Sequence, residues 1–377
     1  MNMGKQILRG KDKILFTPGP LTTSQTVKQA MLRDLGSRDI EFIGLVKDIR
    51  HKLVELGQAS LDEYTTVLMQ GSGTFGLEAV VSSTVPTDGK LLVIINGAYG
   101  KRLAKIASVL KIQTLTLEYS ENTTPDLDEI ENILNADTKI TNVAVVHCET
   151  TTGIVNPIKE IGRIVEKSGA KYFVDAMSSF GAVPIDLVEC GIDYLVSSAN
   201  KCIEGVPGFS FVLCKLNSLN ETAGYARSVS FDLLDQYQSF EKNGQFRFTP
   251  PTHALAAFRQ ALVELEAEGG VPGRAERYLR NHETLVAGMR QLGFKEYLEP
   301  ENQGYIITSF LYPDDSSFSF EKFYESLNQK DYVIYPGKVS DASCFRIGNI
   351  GRIFEADVKA LLAAIAETID EMDVRLN

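Results

Sequence analysis

The chain has 377 residues, 44% of them hydrophobic and 23% charged, with a formal net charge of −11. This composition is typical of a globular protein with one large and one smaller domain, and the absence of a dense basic run argues against nucleic acid as a partner. No apolar stretch is long enough to span a bilayer, and residues 1–16 lack the apolar core of a signal peptide. We therefore expect a cytoplasmic protein without membrane contact.

Cysteines and histidines bear on the compartment and on metals. The five cysteines are scattered and form no Cys-x-x-Cys pair, which indicates a reducing compartment without disulfides or structural zinc. Four histidines are present, and neither the HExxH motif of metalloproteases nor the GxSxG motif of serine hydrolases occurs. We expect no metal site.

Apolar strands alternate with helices over the first two thirds of the chain. Predicted strands cover 65–69, 91–95, 113–117, 142–146, 171–174 and 194–196, with 209–214 as an antiparallel neighbour of the last. Predicted helices cover 27–35, 40–56, the stretch after Thr74 up to Val81, 127–134 and 158–168. This alternation predicts an α/β domain with a mainly parallel sheet.

The pattern changes from about residue 252. Helices are predicted at 254–268, 274–292, 320–328 and 355–372, with strands at 306–312, 332–334 and 343–347. These elements indicate a smaller α+β domain. We predict a large domain over 17–255 and a small C-terminal domain over 256–377, with residues 1–16 packing against the small domain.

Four polar segments follow predicted strands directly: 71–74, 149–152, Asp175 and Lys201. In parallel sheets, ligands bind at the carboxyl ends of the strands. The shared placement therefore predicts that the four segments meet in one site.

Each segment has a functional and an ordinary interpretation. Lys201 ends a short polar tether after a strand, which suits a Schiff base to a carbonyl cofactor, although a lone lysine is more often solvated. Asp175 could pair with a protonated pyridine nitrogen or simply cap the next turn. The turn Gly71–Thr74 could bind phosphate through its N–H groups and hydroxyls, or could be a tight glycine turn.

Other residues carry similar alternatives. The hydroxyls of 150–152 could bind a cofactor oxygen or belong to an ordinary turn. Tyr99 could stack on an aromatic ring or cover the sheet. Arg346 lies in an apolar strand, where an arginine is costly to bury without an anion, so either a carboxylate ligand or a structural acid must lie nearby.

Taken together, these segments resemble fold-type I pyridoxal-phosphate enzymes, in the class V branch of small aminotransferases. The resemblance runs over nearly the whole chain. It rests on LMQGSGTFGLEAV (68–80), NGAYGKR (96–102), HCETTTGIVNPI (147–158), SSANKCIEGVPGF (197–209), FRFTPPTHALAAF (246–258) and CFRIGNIG (344–351). The Gly-Ser-Gly turn is shared widely, whereas the segment around Lys201 and the segment around Arg346 are more specific.

The resemblance implies pyridoxal 5'-phosphate as the cofactor. Lys201 would hold it as a Schiff base and move the reacting proton, and Asp175 would pair with the ring nitrogen. Ser72, Gly73 and Thr74 would bind the phosphate. Thr150 would contact the phenolic oxygen of the ring, and Tyr99 would stack on the ring face.

The resemblance also implies a homodimer with shared active sites, in which Thr249 reaches the phosphate held by the neighbouring subunit. Arg346 would bind the carboxylate of the 2-oxo acid, and the phosphonate in the other half-reaction. The implied reaction is transamination between 2-aminoethylphosphonate and pyruvate; the alternative pairs alanine or serine with glyoxylate. Arg38 lies where family members vary, and would either help bind an acidic substrate or make a surface ion pair.

Overall fold

Strands and helices alternate along the chain in the computed structural model, which describes residues 12–337 and 342–376. The strands are β1 (Ile14–Leu15), β2 (Tyr64–Gln70), β3 (Lys90–Ile95), β4 (Gln113–Glu118), β5 (Ile140–Val146), β6 (Cys148–Glu149), β7 (Ile154–Val155), β8 (Lys171–Asp175), β9 (Tyr194–Ser198), β10 (Phe209–Lys215), β11 (Ile307–Leu311), β12 (Tyr332–Val333), β13 (Tyr335–Pro336) and β14 (Cys344–Gly348). The helices are α1 (Gln25–Gln29), α2 (Ile40–Leu56), α3 (Gly73–Thr84), α4 (Ala98–Val109), α5 (Leu127–Ala136), α6 (Ile158–Ser168), α7 (Leu216–Asn220), α8 (Leu233–Asn243), α9 (Thr252–Ala267), α10 (Gly270–Gln291), α11 (Phe320–Gln329) and α12 (Glu355–Glu371).

A seven-stranded sheet with the order β2-β10-β9-β8-β5-β3-β4 forms the centre of the larger part. All its strands run in one direction except β10, which pairs antiparallel with β2 and β9. Strands β3 and β5 are mostly apolar and are buried along almost their whole length, as expected where helices cover both faces of a parallel sheet. The predicted α/β class with a mainly parallel sheet is confirmed.

The strand direction decides where the site lies. The carboxyl ends of β2, β8 and β9 meet at one edge of the sheet because these strands run the same way. Gly71 follows β2, Asp175 is the last residue of β8, and Lys201 comes shortly after β9.

The C-terminal part has its own sheet and core. Strands β11, β14 and β13 form an antiparallel sheet, and β1 pairs in parallel with β12. Aromatic rings gather around Phe345 of β14, among them Phe294, Phe310 and Phe323. Phe16 belongs to this core as well, so the described part of the N-terminal segment packs here.

The domain limits remain a proposal. Residues 1–11 of the N-terminal segment lie outside the described residues. The limit at 255/256 falls inside α9, and the apolar side chains of α9 from Ala254 to Leu265 pack into the core of the large sheet. We propose that the division follows α9 rather than cutting through it.

Some helices differ from the prediction. The helix placed at 27–35 is shorter, because α1 passes into a 3-10 turn over Ala30–Leu32 and ends there. Helices α4, α7 and α8 were not predicted. Within the described residues, no helix combines the length and the apolar character that crossing a membrane requires.

Candidate active site

Lys201 contacts the segment of Pro18 and Gly19. Its Nζ donates a hydrogen bond to the carbonyl oxygen of Pro18, at 2.6 Å. Gly19 has φ +118°, and a β-carbon there would lie 2.8 Å from both Cδ and Nζ of the lysine, so only glycine lets the segment approach so closely. Burial lowers the pKa of Lys201 to about 8. A useful fraction of the amine is therefore neutral, and nucleophilic, near neutral pH.

The turn after Lys201 is held by buried charges. Glu204 has φ +65°, and its N–H donates to the carbonyl oxygen of Lys201 at 2.7 Å. Its carboxylate accepts from the Tyr278 hydroxyl at 2.6 Å and from Arg277 Nη2 at 2.7 Å. Arg277 also donates to the carbonyl oxygen of Gly351, at 2.6 Å. This network joins the lysine turn to α10 and to the segment that follows β14.

Asp175 is a buried carboxylate at the end of β8. Its Oδ1 accepts from the N–H of Met177 at 2.9 Å. Burial raises the pKa of Asp175 to about 7, and the nearby Glu149 acts in the same direction. Among the residues that the structure describes, no basic side chain lies within ion-pair distance of it. Because a buried carboxylate needs a positive partner, a protonated ring nitrogen would fit here.

The turn between β2 and α3 offers an anion site. Gly71 has φ +106°. Ser72 is the N-cap of α3, but its side chain makes no cap hydrogen bond. The N–H groups of Gly73 and Thr74 lie in the first helical turn, where an α-helix provides no acceptor. A β-carbon at Gly73 would collide with Sδ of Met177, so this glycine brings the turn close to the end of β8.

Helix α4 takes its N-terminal cap from a distant segment. The carboxylate of Glu149 accepts from the N–H groups of Tyr99 and Gly100, each at 3.2 Å. The N–H of Ala98 donates to Oγ1 of Thr151 at 2.9 Å. Burial raises the pKa of Glu149, and these hydrogen bonds oppose the shift. The cap thereby locks Tyr99 and the loop of Thr150 into one unit.

Arg346 is fully buried in β14 and faces backbone carbonyls rather than an acid. Its Nη1 donates to the oxygen of Thr150 at 2.6 Å, and its Nε and Nη2 donate to the oxygen of Pro336 at 2.9 and 2.8 Å. Burial lowers the pKa of Arg346. No carboxylate of the described residues lies within ion-pair distance, so the charge is available to an anionic ligand.

Sequence reasoning missed Arg102 and the cap residue Glu149. Arg102 Nη1 lies 3.4 Å from Oγ1 of Thr74, and its guanidinium carbon lies 4.8 Å from the centre of the Tyr99 ring. Arg102 comes three residues after Tyr99, and side chains at this spacing lie on the same face of a helix. A prediction of α4 would therefore have placed Arg102 beside Tyr99.

Two sequence-predicted residues lie apart from this group. Arg38 and Thr249 are exposed and line the same surface cleft of about 320 Å³, together with Phe248. The Gln70 side chain donates to the carbonyl oxygens of Phe248 and Thr249, at 3.0 and 3.4 Å. Within the described chain, neither Arg38 nor Thr249 makes a hydrogen bond or ion pair with Lys201 or Asp175.

Solved structures show the same fold. The ureidoglycine–glyoxylate aminotransferase of Bacillus subtilis superposes with a TM-score of 0.90 at 23% identity, covering 99% of this chain and 96% of that one. The alanine–glyoxylate aminotransferase of a Nostoc species superposes with a TM-score of 0.89 at 24% identity, covering 97% of each chain. The chain has the fold of fold-type I pyridoxal-phosphate aminotransferases.

Sequence comparison then defines the family. The model of the class-V aminotransferases matches residues 22–330, and this chain belongs to that family. A 2-aminoethylphosphonate–pyruvate transaminase of Bacillus cereus is 51% identical over 357 residues, covering 94% of this chain and 98% of the relative. One of Vibrio vulnificus is 51% identical over 358 residues, covering 94% and 97%.

Class-V aminotransferases use pyridoxal 5'-phosphate, and the described residues fit it. Within the described residues, the buried Asp175 has no basic side chain at ion-pair distance, and the first turn of α3 has no side-chain cap. Lys201 is an amine whose pKa of about 8 suits bond formation to an aldehyde. The three features lie at one edge of the sheet, where the ring nitrogen, the phosphate and the aldehyde of one molecule would each find a partner.

The raised pKa of Asp175 sets a pH dependence of stability in the cofactor-free protein. Between about pH 4 and about pH 7, the folded carboxyl keeps a proton that the unfolded chain has released. The free energy of unfolding therefore falls as the pH rises through this window. Asp175→Asn removes the effect, so we expect the variant to gain stability relative to the native protein between about pH 5 and about pH 8. Denaturant titrations at each pH measure the difference; a difference that does not change with pH would contradict the assignment.

Proposed function

We propose that this chain transfers the amino group of 2-aminoethylphosphonate to pyruvate, giving phosphonoacetaldehyde and L-alanine in phosphonate metabolism. The observation that carries the proposal is the buried Arg346, whose guanidinium has no carboxylate partner within the described residues. An arginine fork matches both a carboxylate and a phosphonate. Relatives that are half identical over almost the whole chain bear the name of this reaction.

We propose the following roles for the residues of the site. Bound pyridoxal 5'-phosphate supplies an aldehyde that condenses with amines and a ring that takes up electrons. Lys201 holds the cofactor covalently, and its free amine then moves the proton of the reacting carbon. Asp175 keeps the ring nitrogen protonated through its negative charge. The remaining contacts are made by Ser72, Gly73 and Thr74 to the phosphate, Thr150 to the phenolic oxygen and Tyr99 to the ring face.

The proposed role of Arg346 leads to a substrate-binding effect. We expect Arg346→Gln to lower kcat/KM by about 100-fold for both the amino donor and pyruvate, mainly through KM, because a charge-assisted pair is lost in each half-reaction. Arg290→Gln, which removes an exposed arginine of α10, is the matched control and should leave both values unchanged. Steady-state kinetics with each substrate varied in turn measure the effect. An unchanged KM for both substrates in a folded Arg346→Gln protein would remove Arg346 from the site.

The substrate pair is tested by a panel of donors and acceptors. 2-Aminoethylphosphonate, alanine and serine are compared as donors, each with pyruvate and with glyoxylate as acceptor. We expect 2-aminoethylphosphonate with pyruvate to have a kcat/KM at least about tenfold above any other pair, a difference of about 1.4 kcal/mol in transition-state binding. Higher activity with serine or alanine and glyoxylate would favour the alternative, an alanine or serine–glyoxylate aminotransferase.

We also propose a cytoplasmic homodimer. All five cysteines are buried free thiols, as suits a reducing compartment. Thr249 and Arg38 line a surface cleft that includes neither Lys201 nor the turn of Ser72, which supports a role for Thr249 at the cofactor phosphate of the second subunit. Arg38 would then face the neighbouring site too. Sedimentation equilibrium distinguishes the states: a species of twice 41.6 kDa is expected, and a monomer that remains fully active would contradict the shared site.

A further inference from the structure

We propose that Arg102 is a further cofactor-binding residue, whose guanidinium supplies the positive charge that the phosphate site otherwise lacks. The proposal rests on pyridoxal 5'-phosphate as the cofactor of the family and not on the choice of amino donor. Its failure would therefore leave the proposed reaction untouched.

Arg102 lies where the N-terminal turns of helices α3 and α4 come close together. Arg102 lies near the beginning of α4, and Thr74 lies in the first turn of α3. Nη1 of Arg102 is 3.4 Å from Oγ1 of Thr74. A phosphate bound to the Thr74 hydroxyl and to the N–H groups of that turn would therefore lie within reach of the guanidinium.

The charge balance of the site points the same way. A phosphate monoester carries between one and two negative charges near pH 7. Ser72, Gly73, Thr74 and the proposed Thr249 are all neutral, and a helix N-terminus contributes only about half a positive charge. Arg102 is partly buried, and no carboxylate of the described residues lies within ion-pair distance of it. Among the described residues, the proposed phosphate contacts are thus all uncharged, and Arg102 forms no ion pair, although its charge lowers the pKa of Asp175.

A different role would rest on Tyr99 alone. The guanidinium carbon of Arg102 lies 4.8 Å from the centre of the Tyr99 ring, so the arginine could act only by orienting that ring. The two roles differ in what they recognise. An orienting role affects any ligand with the pyridine ring, whereas a phosphate role affects only ligands with the phosphate.

Binding of two cofactor forms separates these roles. Cofactor-free native protein, Arg102→Gln and Arg102→Lys are titrated with pyridoxal 5'-phosphate and with pyridoxal, and the dissociation constants are read from absorbance. We expect Arg102→Gln to weaken the binding of pyridoxal 5'-phosphate by about 10- to 100-fold and that of pyridoxal by less than about threefold. Arg102→Lys keeps the charge and should recover most of the loss.

The control lies on the same helix. Lys105→Gln removes an exposed cation of α4 and should leave both dissociation constants unchanged, which excludes a general charge effect. Inorganic phosphate gives a second readout: it should raise the melting temperature of the cofactor-free native protein and of Lys105→Gln, but not that of Arg102→Gln.

Two results would overturn the proposal. Equal losses for pyridoxal 5'-phosphate and pyridoxal would assign Arg102 to the orientation of Tyr99, and unchanged binding of both would remove it from the site. If Arg102→Gln does not fold, Arg102→Met, which keeps the apolar stem of the side chain, takes its place with the same expected values.

Discussion

Lys201→Ala is expected to lower kcat by at least about 10⁴-fold, because it removes both the covalent hold on the cofactor and the amine that moves the proton. The environment of Lys201 explains why no other lysine replaces it. Its Nζ is placed by the Pro18 carbonyl and by the close approach of Gly19, and burial lowers its pKa to about 8. Initial rates of alanine formation measure the loss.

Two further variants sharpen this experiment. Lys201→Arg keeps a positive charge but offers no neutral amine, so we expect it to be as inactive as the alanine variant. Lys215→Ala removes an exposed lysine at the end of β10 and should leave kcat unchanged. Native turnover in either Lys201 variant would refute the role of this residue.

Asp175→Asn is expected to have the second largest effect, a fall in kcat of about 10²- to 10³-fold. Asparagine keeps an oxygen that can accept from the N–H of Met177, so the turn survives while the negative charge is lost. Residue 175 would then no longer stabilise a proton on the ring nitrogen, so the bound cofactor would supply a weaker electron sink. The same initial-rate assay measures the fall.

The stability of Asp175→Asn shows whether its low activity comes from the lost charge or from misfolding. Near pH 8, the cofactor-free Asp175→Asn protein should be more stable than the native one, since a buried charge has been removed, yet far less active. Asp62→Asn, at an exposed position, is the control and should change neither property. A variant that keeps native activity would remove Asp175 from the proposed mechanism.

The parts of the fold and site that could be predicted depend on local patterns. Strands β3, β5 and β8 are short apolar runs, and the polar residues directly after a strand mark its carboxyl end. Asp175 and Lys201 were placed in this way, and the structure brings them close enough that the charge of each shifts the pKa of the other.

The parts that were missed depend on distant contacts. Helix α4 begins after Gly97 without a cap of its own, and the acceptors for its first N–H groups come from Glu149 and Thr151. Such a cap leaves no signal in the local sequence, so no helix was predicted here and Arg102 was not assigned to the site. Helix α8, in contrast, carries local signals, since Asp232 caps its start and Gly244 ends it.

Arg38 and Thr249 show a second limit of prediction from sequence, which is that one chain does not reveal contacts with another subunit. Lys201 is not among the residues that line their shared cleft, so their roles involve a partner subunit and remain proposals. Arg346 differs from both, because its guanidinium is buried without a carboxylate partner among the described residues of its own chain, which supports the proposed anion site.

The transfer of labelled nitrogen tests the central claim most directly. The purified protein with bound pyridoxal 5'-phosphate is incubated with ¹⁵N-labelled 2-aminoethylphosphonate and unlabelled pyruvate, and the products are analysed by mass spectrometry. We expect ¹⁵N-alanine and phosphonoacetaldehyde in equal amounts. Unlabelled alanine, or no alanine while ¹⁵N-serine and glyoxylate give ¹⁵N-glycine, would contradict the proposed reaction.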